Sequence, residues 1–195
     1  MPLVITEQRG MYRENVCLII ADNQGHVFMG DIIPGNRAEI IEPHHFQMPQ
    51  GGIEQGETVL QAGWRELYEE TGLTPSSAKF VQENPTAVSY DFDFEKLAPG
   101  VQQEISRLGL KGQRQHFLLF ALTDKSAICL HKFNPPEFQG YCFVPPDQAL
   151  DMVVPYTREN YKKAFCFFAP LLSDIKKAAT PETTQAAVFR PQLAR

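Results

Sequence analysis

An α/β sandwich is the fold class that this sequence predicts, and three observations carry it. Between Leu60 and Thr71, the residues Leu60, Trp64, Leu67 and Thr71 recur at three- and four-residue steps, which makes one helical stripe in the middle of the chain. Strand-like apolar runs lie on both sides of that stripe. A second helical stretch near the C-terminus closes the pattern.

Taken in order, Asn15 to Ala21 (NVCLIIA) is a short apolar run with β-branched residues, and Asp22-Asn23-Gln24-Gly25 supplies a turn before His26 to Met29. This predicts a hairpin. Gly30 to His45 holds Pro34, Gly35, Pro43 and charged residues and reads as a loop; Phe46-Gln47-Met48 follows as a brief strand. Past the central helix, Lys79 to Gln82 and Ala87 to Phe92 read as strands, and Pro99 to Leu108 as a short helix. His116 to Leu122 and Ala127 to His131 make an expected strand pair around a turn at Thr123 to Ser126, and Gly140 to Val144 is one further strand. Pro135-Pro136 forces an extended approach into Glu137. Asp147 to Met152 reads as a short helix, and Thr157 is placed to cap a longer one reaching about Phe168.

At 195 residues and 43% hydrophobic, the chain can bury one sizeable core. A single domain over 1–173 is expected, with a mobile tail over 174–195, where Lys, Ala, Thr, Gln and Pro dominate. The net charge of −5 argues against a protein that grips nucleic acid by bulk electrostatics. Four scattered cysteines, Cys17, Cys129, Cys142 and Cys166, form no C-x-x-C pair and predict buried, reduced thiols. The first residues lack a cationic start followed by an apolar run, and Ala164 to Leu172 is too short to span a bilayer. The expectation is a soluble cytoplasmic protein with neither membrane nor DNA as partner.

The central stretch PQGGIEQGETVLQAGWRELYEETGL (Pro49 to Leu73) carries the chemistry. A Gly51-Gly52 turn leads through Glu57 into the helix, where Glu66, Glu69 and Glu70 fall on one face, and Gly72 ends it. Carboxylates so placed repel one another unless something positive sits between them, and all-oxygen donors suit a hard divalent cation such as magnesium. Val59, Ala62 and Gly63 lie along the same face, small enough for a ligand to approach. Composition alone would make this a solvated acidic face.

The full spacing overturns that reading. Gly51, Glu57, Arg65, Glu66, Leu67, Glu69, Glu70, Gly72 and Leu73 match G-x5-E-x7-R-E-U-x-E-E-x-G-U at every specified position, U being apolar. A chance match has a probability on the order of 10⁻⁷. The chain therefore resembles the Nudix hydrolases. That resemblance implies the Nudix fold, an α/β/α sandwich with a mixed sheet between helices, and Mg²⁺-dependent hydrolysis of a phosphoanhydride, with Mn²⁺ a possible substitute. It implies metal ligands among Glu66, Glu69 and Glu70, with Glu66 doubling as the candidate base, and an ion pair between Arg65 and Glu57 that orients the helix. Carbonyls near Gln50 and Gly51 would complete the shell.

Outside this motif, Tyr12-Arg13-Glu14-Asn15, Phe46 to Gly52, Gly112 to Phe117 and Pro136 to Gly140 are similar to the bacterial RNA pyrophosphohydrolase subfamily, which includes diadenosine polyphosphate hydrolases. By position the similarity implies that Glu137 is a distant fourth carboxylate, a metal ligand or base assistant. It implies that Arg13 and Tyr156 flank a nucleotide base and that Gln113 and Arg114 lie near the phosphates. Some features depart from the subfamily. Gly30 to His45 is longer than its counterpart, Met29-Gly30-Asp31 lacks arginines, and Asp91, Asp93 and Glu95 stand where RNA-cleaving members are basic.

The expected activity is removal of pyrophosphate from the 5′ end of triphosphorylated RNA. Alternatives are hydrolysis of diadenosine tetra- or pentaphosphate, cleavage of smaller nucleotides, and, from a different class, an inactive nucleotide-binding regulator, against which the complete set of glutamates stands. Protein partners are not legible. His44 and His45 lack a third soft ligand and read as non-ligands, and His26, His116 and His131 as packed or surface residues.

Overall fold

The computed structural model describes residues 11–33, 45–97, 99–153 and 155–179. Its sheet is built on two long parallel strands, β1 (Met11–Ala21) and β7 (Leu110–Leu122), paired from Met11↔Leu110 to Ala21↔Ala121. Each long strand is flanked on its outer edge by two shorter antiparallel ones. Beside β1 lie β2 (Val27–Ile32) and β4 (Gln50–Gly52); beside β7 lie β5 (Ala78–Glu83) and β6 (Val88–Asp91). The short β3 (Phe46–Gln47) and β8 (Phe138–Val144) pair with β2 and complete a mixed, 8-stranded sheet.

Strand parity divides the core. Val16, Leu18 and Ile20 of β1 and Leu118 and Phe120 of β7 face helix α1 (Val59–Thr71). Cys17, Ile19, Phe117 and Leu119 face the opposite layer, made of α3 (Pro146–Met152) and α4 (Pro155–Ala179). Burial on both faces is why β1 reads as an unbroken apolar run rather than an alternating one. The predicted α/β/α sandwich with a mixed sheet is thus observed. No helix among the described residues is long and apolar enough to cross a membrane.

The expected hairpin forms: Asp22 Oδ1 accepts from the N–H groups of Gln24 and His26, and Ala21 pairs with Val27. Helix α1 starts at a capping box between Thr58 and Gln61 and ends at Gly72, whose φ of 72° is left-handed. The helix α2 (Pro99–Leu108) has the predicted bounds.

Elsewhere the expectations need correcting. Strand β2 continues to Ile32, into the expected loop, of which residues 34–44 lie outside the described part, His44 among them. Strand β7 begins at Leu110, six residues before His116, because Gln113 and Gln115 occupy inward-facing positions that polarity disguised. Residues 128–131 are not a strand: Ile128 and Leu130 pack under α1, and the Cys129 N–H donates to Thr71 O at 2.8 Å, satisfying a carbonyl at the helix end. Thr157 lies inside α4, which opens with Pro155 at its first position. Past Phe168, α4 runs through Pro170 to Ala179, beyond the expected boundary at 173. Leu172 and Ile175 continue its stripe into the core, and their burial offsets the roughly 3 kcal/mol an interior proline costs. Residues 180–195 lie outside the described part. All four cysteines are free thiols, with Cys17 buried as expected but Cys129 and Cys166 exposed.

Candidate active site

Arg65 organises the acidic face of α1. Its Nε and Nη2 donate to the two Glu57 carboxylate oxygens, each at 2.8 Å, and Nη2 also reaches Gly52 O at 2.8 Å. The remaining nitrogen, Nη1, donates to Glu66 Oε1 at 2.5 Å and to Glu69 Oε2 at 3.3 Å. The expected Arg65–Glu57 pair is therefore present as a two-point clamp, which ties the turn after β4 to the helix. This fork holds Glu57 below the ordinary carboxylate range and raises the guanidinium further.

Glu66 shifts the other way although it shares that guanidinium. Burial pushes its carboxyl up; Arg65 and Arg13 oppose the shift, and Glu69 adds to it. Glu66 and Glu70 are both buried, while the Glu69 side chain is 40% exposed. Gly51 makes room for this, since a Cβ there would overlap the Glu66 carboxylate. Glu70 Oε2 accepts from the Gln50 N–H at 3.2 Å, so β4 touches both buried carboxylates. Ala62 and Gly63, expected to leave space for a ligand, serve packing instead: a Cβ on Gly63 would strike Leu118.

Glu137, just before β8, meets this group through an amide, with Gln47 Nε2 at 3.5 Å from its Oε1. Among the described residues, no three His, Cys, Asp or Glu side chains gather into a preformed metal cage. The glutamates form an open, all-oxygen row. That arrangement fits a magnesium-like ion, which takes one or two carboxylates and completes its shell with water and substrate phosphates. Glu66 and Glu70 are placed to supply the carboxylates, and the burial that disfavours the ionised form of Glu66 is what a cation would offset.

Beside the acidic row lies a cavity of about 560 Å³, and Gly51 belongs to both. Arg13, Tyr90, Gln113 and Tyr156 line it, with Val101 and Ile105 of α2 as its apolar wall. The rings of Tyr90 and Tyr156 are 5.6 Å apart, and Tyr90 Oη donates to Gln113 Oε1 at 2.9 Å. The Arg13 guanidinium lies against Gly52, where a Cβ would block it. The structure thus gathers Arg13, Gln113 and Tyr156 into one cavity. Arg114 is absent from its lining: one residue on from Gln113, it points to the other face of β7, where Nη1 donates to Glu14 Oε1 at 2.9 Å and His116 Nε2 contacts Glu14 Oε2 at 2.8 Å. His45 pairs with Asp31 at 2.7 Å.

Sequence reasoning missed the α2 wall and the buried amides of Gln47, Gln50, Gln115 and Asn160. Parity held the signal for Gln115, which sits on the same strand face as Phe117 and Leu119. Asn15, given no role from the sequence, is among the residues lining the cavity, and its buried Oδ1 has no hydrogen-bond partner among the described residues.

Known proteins resemble this chain in sequence and in fold. The RNA pyrophosphohydrolase of Vibrio atlanticus (strain LGP32) is 35% identical over 170 residues, covering 87% of this chain and 91% of that protein. The RNA pyrophosphohydrolase of Erythrobacter litoralis (strain HTCC2594) is 34% identical over 162 residues, 83% of this chain and 93% of its own. Among solved structures, the E. coli dihydroneopterin triphosphate pyrophosphohydrolase superposes with a TM-score of 0.56 at 19% identity, over 80% of this chain and 97% of that one. A C. elegans Ap4A hydrolase complex gives 0.54 at 17%, over 81% and 98%. These two share the fold. The NUDIX domain matches residues 11–165, and with it the chain belongs to the Nudix family of phosphoanhydride hydrolases.

Proposed function

We propose that this chain is a cytoplasmic, Mg²⁺-dependent pyrophosphohydrolase that removes pyrophosphate from the 5′ end of triphosphorylated RNA, with Mn²⁺ able to replace Mg²⁺. The observation that carries the reading is the junction at Gly51, where a cavity lined by Tyr90 and Tyr156 opens beside buried carboxylates. The relatives named RNA pyrophosphohydrolase, similar over more than four fifths of the chain, support the choice of substrate.

A bound divalent cation would neutralise phosphate charge and acidify a water molecule. Glu66, Glu70 and Glu137, with Glu69 at the exposed edge, would hold it. Glu66, whose burial raises its affinity for a proton, is suited to take one from the attacking water. The water oxygen then bonds to phosphorus as the anhydride P–O bond breaks, and pyrophosphate leaves with the bonding electrons. Tyr156 and Arg13 would clamp the first base from opposite sides, a contact that tolerates any base because every base has a π face. Gln113 would orient the group bound there. Arg114, paired with Glu14 on the face of β7 that Leu118 and Phe120 turn to α1, would meet the phosphates rather than the base.

A second reading, hydrolysis of dinucleoside polyphosphates, draws on one observation. Glu14 and Glu104 are among the residues that line the cavity, and Asp91 accepts from Tyr12 Oη at 2.7 Å. Acidic residues at this rim give a long phosphodiester chain little cationic surface to follow. Supplying triphosphorylated RNA and diadenosine tetraphosphate at equal concentration separates the readings. A larger kcat/KM for the RNA is expected, and a large preference for the dinucleotide would reverse the assignment.

A further inference from the structure

A line of amides crosses the sheet beneath the site. Asn160 Nδ2 donates to Gln115 Oε1 at 3.1 Å, Gln115 Nε2 to Gln50 Oε1 at 2.8 Å, and Gln50 Nε2 to Gln47 Oε1 at 3.3 Å. Gln47 Nε2 closes the line on Glu137 Oε1 at 3.5 Å, the longest link. The four amides are 4%, 0%, 5% and 7% exposed in that order, so water does not substitute for these bonds.

Their direction is fixed from both ends. An ionised carboxylate only accepts, so Gln47 must show it an amino group and turn its oxygen to Gln50; the same logic repeats through Gln50 and Gln115 to Asn160. At the far end the Val88 carbonyl, 3.5 Å from Asn160 Nδ2, also only accepts, and it demands the same orientation. Every dipole therefore points its positive end toward Glu137, and such chains strengthen link by link. Gln50 joins this line to the second acid, because its main-chain N–H holds Glu70. Asn160 sits on α4, the helix that presents Tyr156 to the cavity.

We propose that Asn160, Gln115, Gln50 and Gln47 form a one-way positioning relay that sets the Glu137 carboxylate and, through Gln50, Glu70 for a divalent cation. The proposal rests on the metal-binding reading given above. None of the four side chains needs to touch substrate; they act through the two glutamates, as outer partners of metal ligands do.

The test uses the polarity. Asn160→Asp keeps the shape but can only accept, so each amide must flip and Gln47 turns its oxygen against Glu137. Mn²⁺ binding to the full chain, followed by the loss of free-ion paramagnetic resonance signal, should weaken about tenfold in Asn160→Asp and in the near-isosteric Gln115→Met. Glu137→Gln, which can donate to the flipped Gln47, should recover part of the thermal stability lost in Asn160→Asp. The double variant should melt about 2–4 °C above the sum of the single losses, whereas independent sites add. If Glu137→Gln weakens Mn²⁺ while Asn160→Asp and Gln115→Met do not, and melting losses add, the relay is refuted and the metal reading stands. If Glu137→Gln itself leaves Mn²⁺ affinity unchanged, the metal reading of Glu137 fails and takes the relay with it. Should Gln115→Met fail to fold, the stability cycle between Asn160 and Glu137 decides alone.

Discussion

The two halves of the site hold their residues by opposite means. At the α1 end, charge does the work: one guanidinium spans Glu57, Glu66 and Glu69, and Glu66 stays in place although burial disfavours its ionised form. At the α2 end, Tyr90, Tyr156, Val101 and Ile105 enclose a cavity by shape and aromatic surface. The first half suits a cation, and the second a flat aromatic ring. A nucleoside polyphosphate with its cation supplies both, which divides chemistry from recognition along the line of Gly51.

That division can be broken experimentally. The largest effect belongs to the acidic half: Glu70→Gln should lower kcat by about 10²-fold or more with KM little changed, because the group acts on the reacting phosphate rather than on the base. A steady-state series on triphosphorylated RNA measures it; a change in KM alone would merge the two halves. Next comes the cavity. Tyr156→Ala should raise KM about tenfold, the value of one lost base stack, and leave kcat near that of the parent chain.

The smallest effect concerns stability in the absence of metal. The folded-state pKa of Glu66 is raised, so the folded chain binds that proton more tightly than the unfolded one. Its contribution is present on the acid side and is lost as pH climbs from about the ordinary 4.5 through the raised value. Glu66→Gln removes this titration. In chelator, the variant should gain on the parent chain in melting temperature as pH rises from 4 to 7, read by thermal melts. Glu57, lowered by Arg65, has the opposite sign: its stabilisation is present above 4.5 and is lost as pH falls through the depressed value.

The same contrast governs what the sequence revealed. The acidic half was legible because its parts are local: helical spacing, a capping glycine and the Arg65–Glu57 partnership all lie within one stretch of chain. The cavity half is assembled from Arg13, Tyr90, Gln113 and Tyr156, which lie far apart in sequence, so only resemblance pointed to three of them. Helix α2 was legible as an element but not as a wall. The amide relay was hidden because polar side chains inside strands look like loop or surface residues until a register places them. Strand parity separates Gln113 from Arg114, since the residue next to a cavity-lining one faces the other side of the sheet. The tail boundary at 173 failed for a similar reason, as Leu172 and Ile175 find core that composition could not anticipate.

The most direct test of the account is linkage between cation and phosphate. Mn²⁺ affinity is measured with and without a non-hydrolysable nucleoside triphosphate, in the parent chain and in Glu66→Gln/Glu70→Gln. If carboxylates and phosphate oxygens share one coordination shell, the analogue tightens Mn²⁺ binding about tenfold in the parent chain, and the double variant loses that coupling. Equal Mn²⁺ affinity with and without the analogue in the parent chain, or undiminished coupling in the double variant, would contradict it.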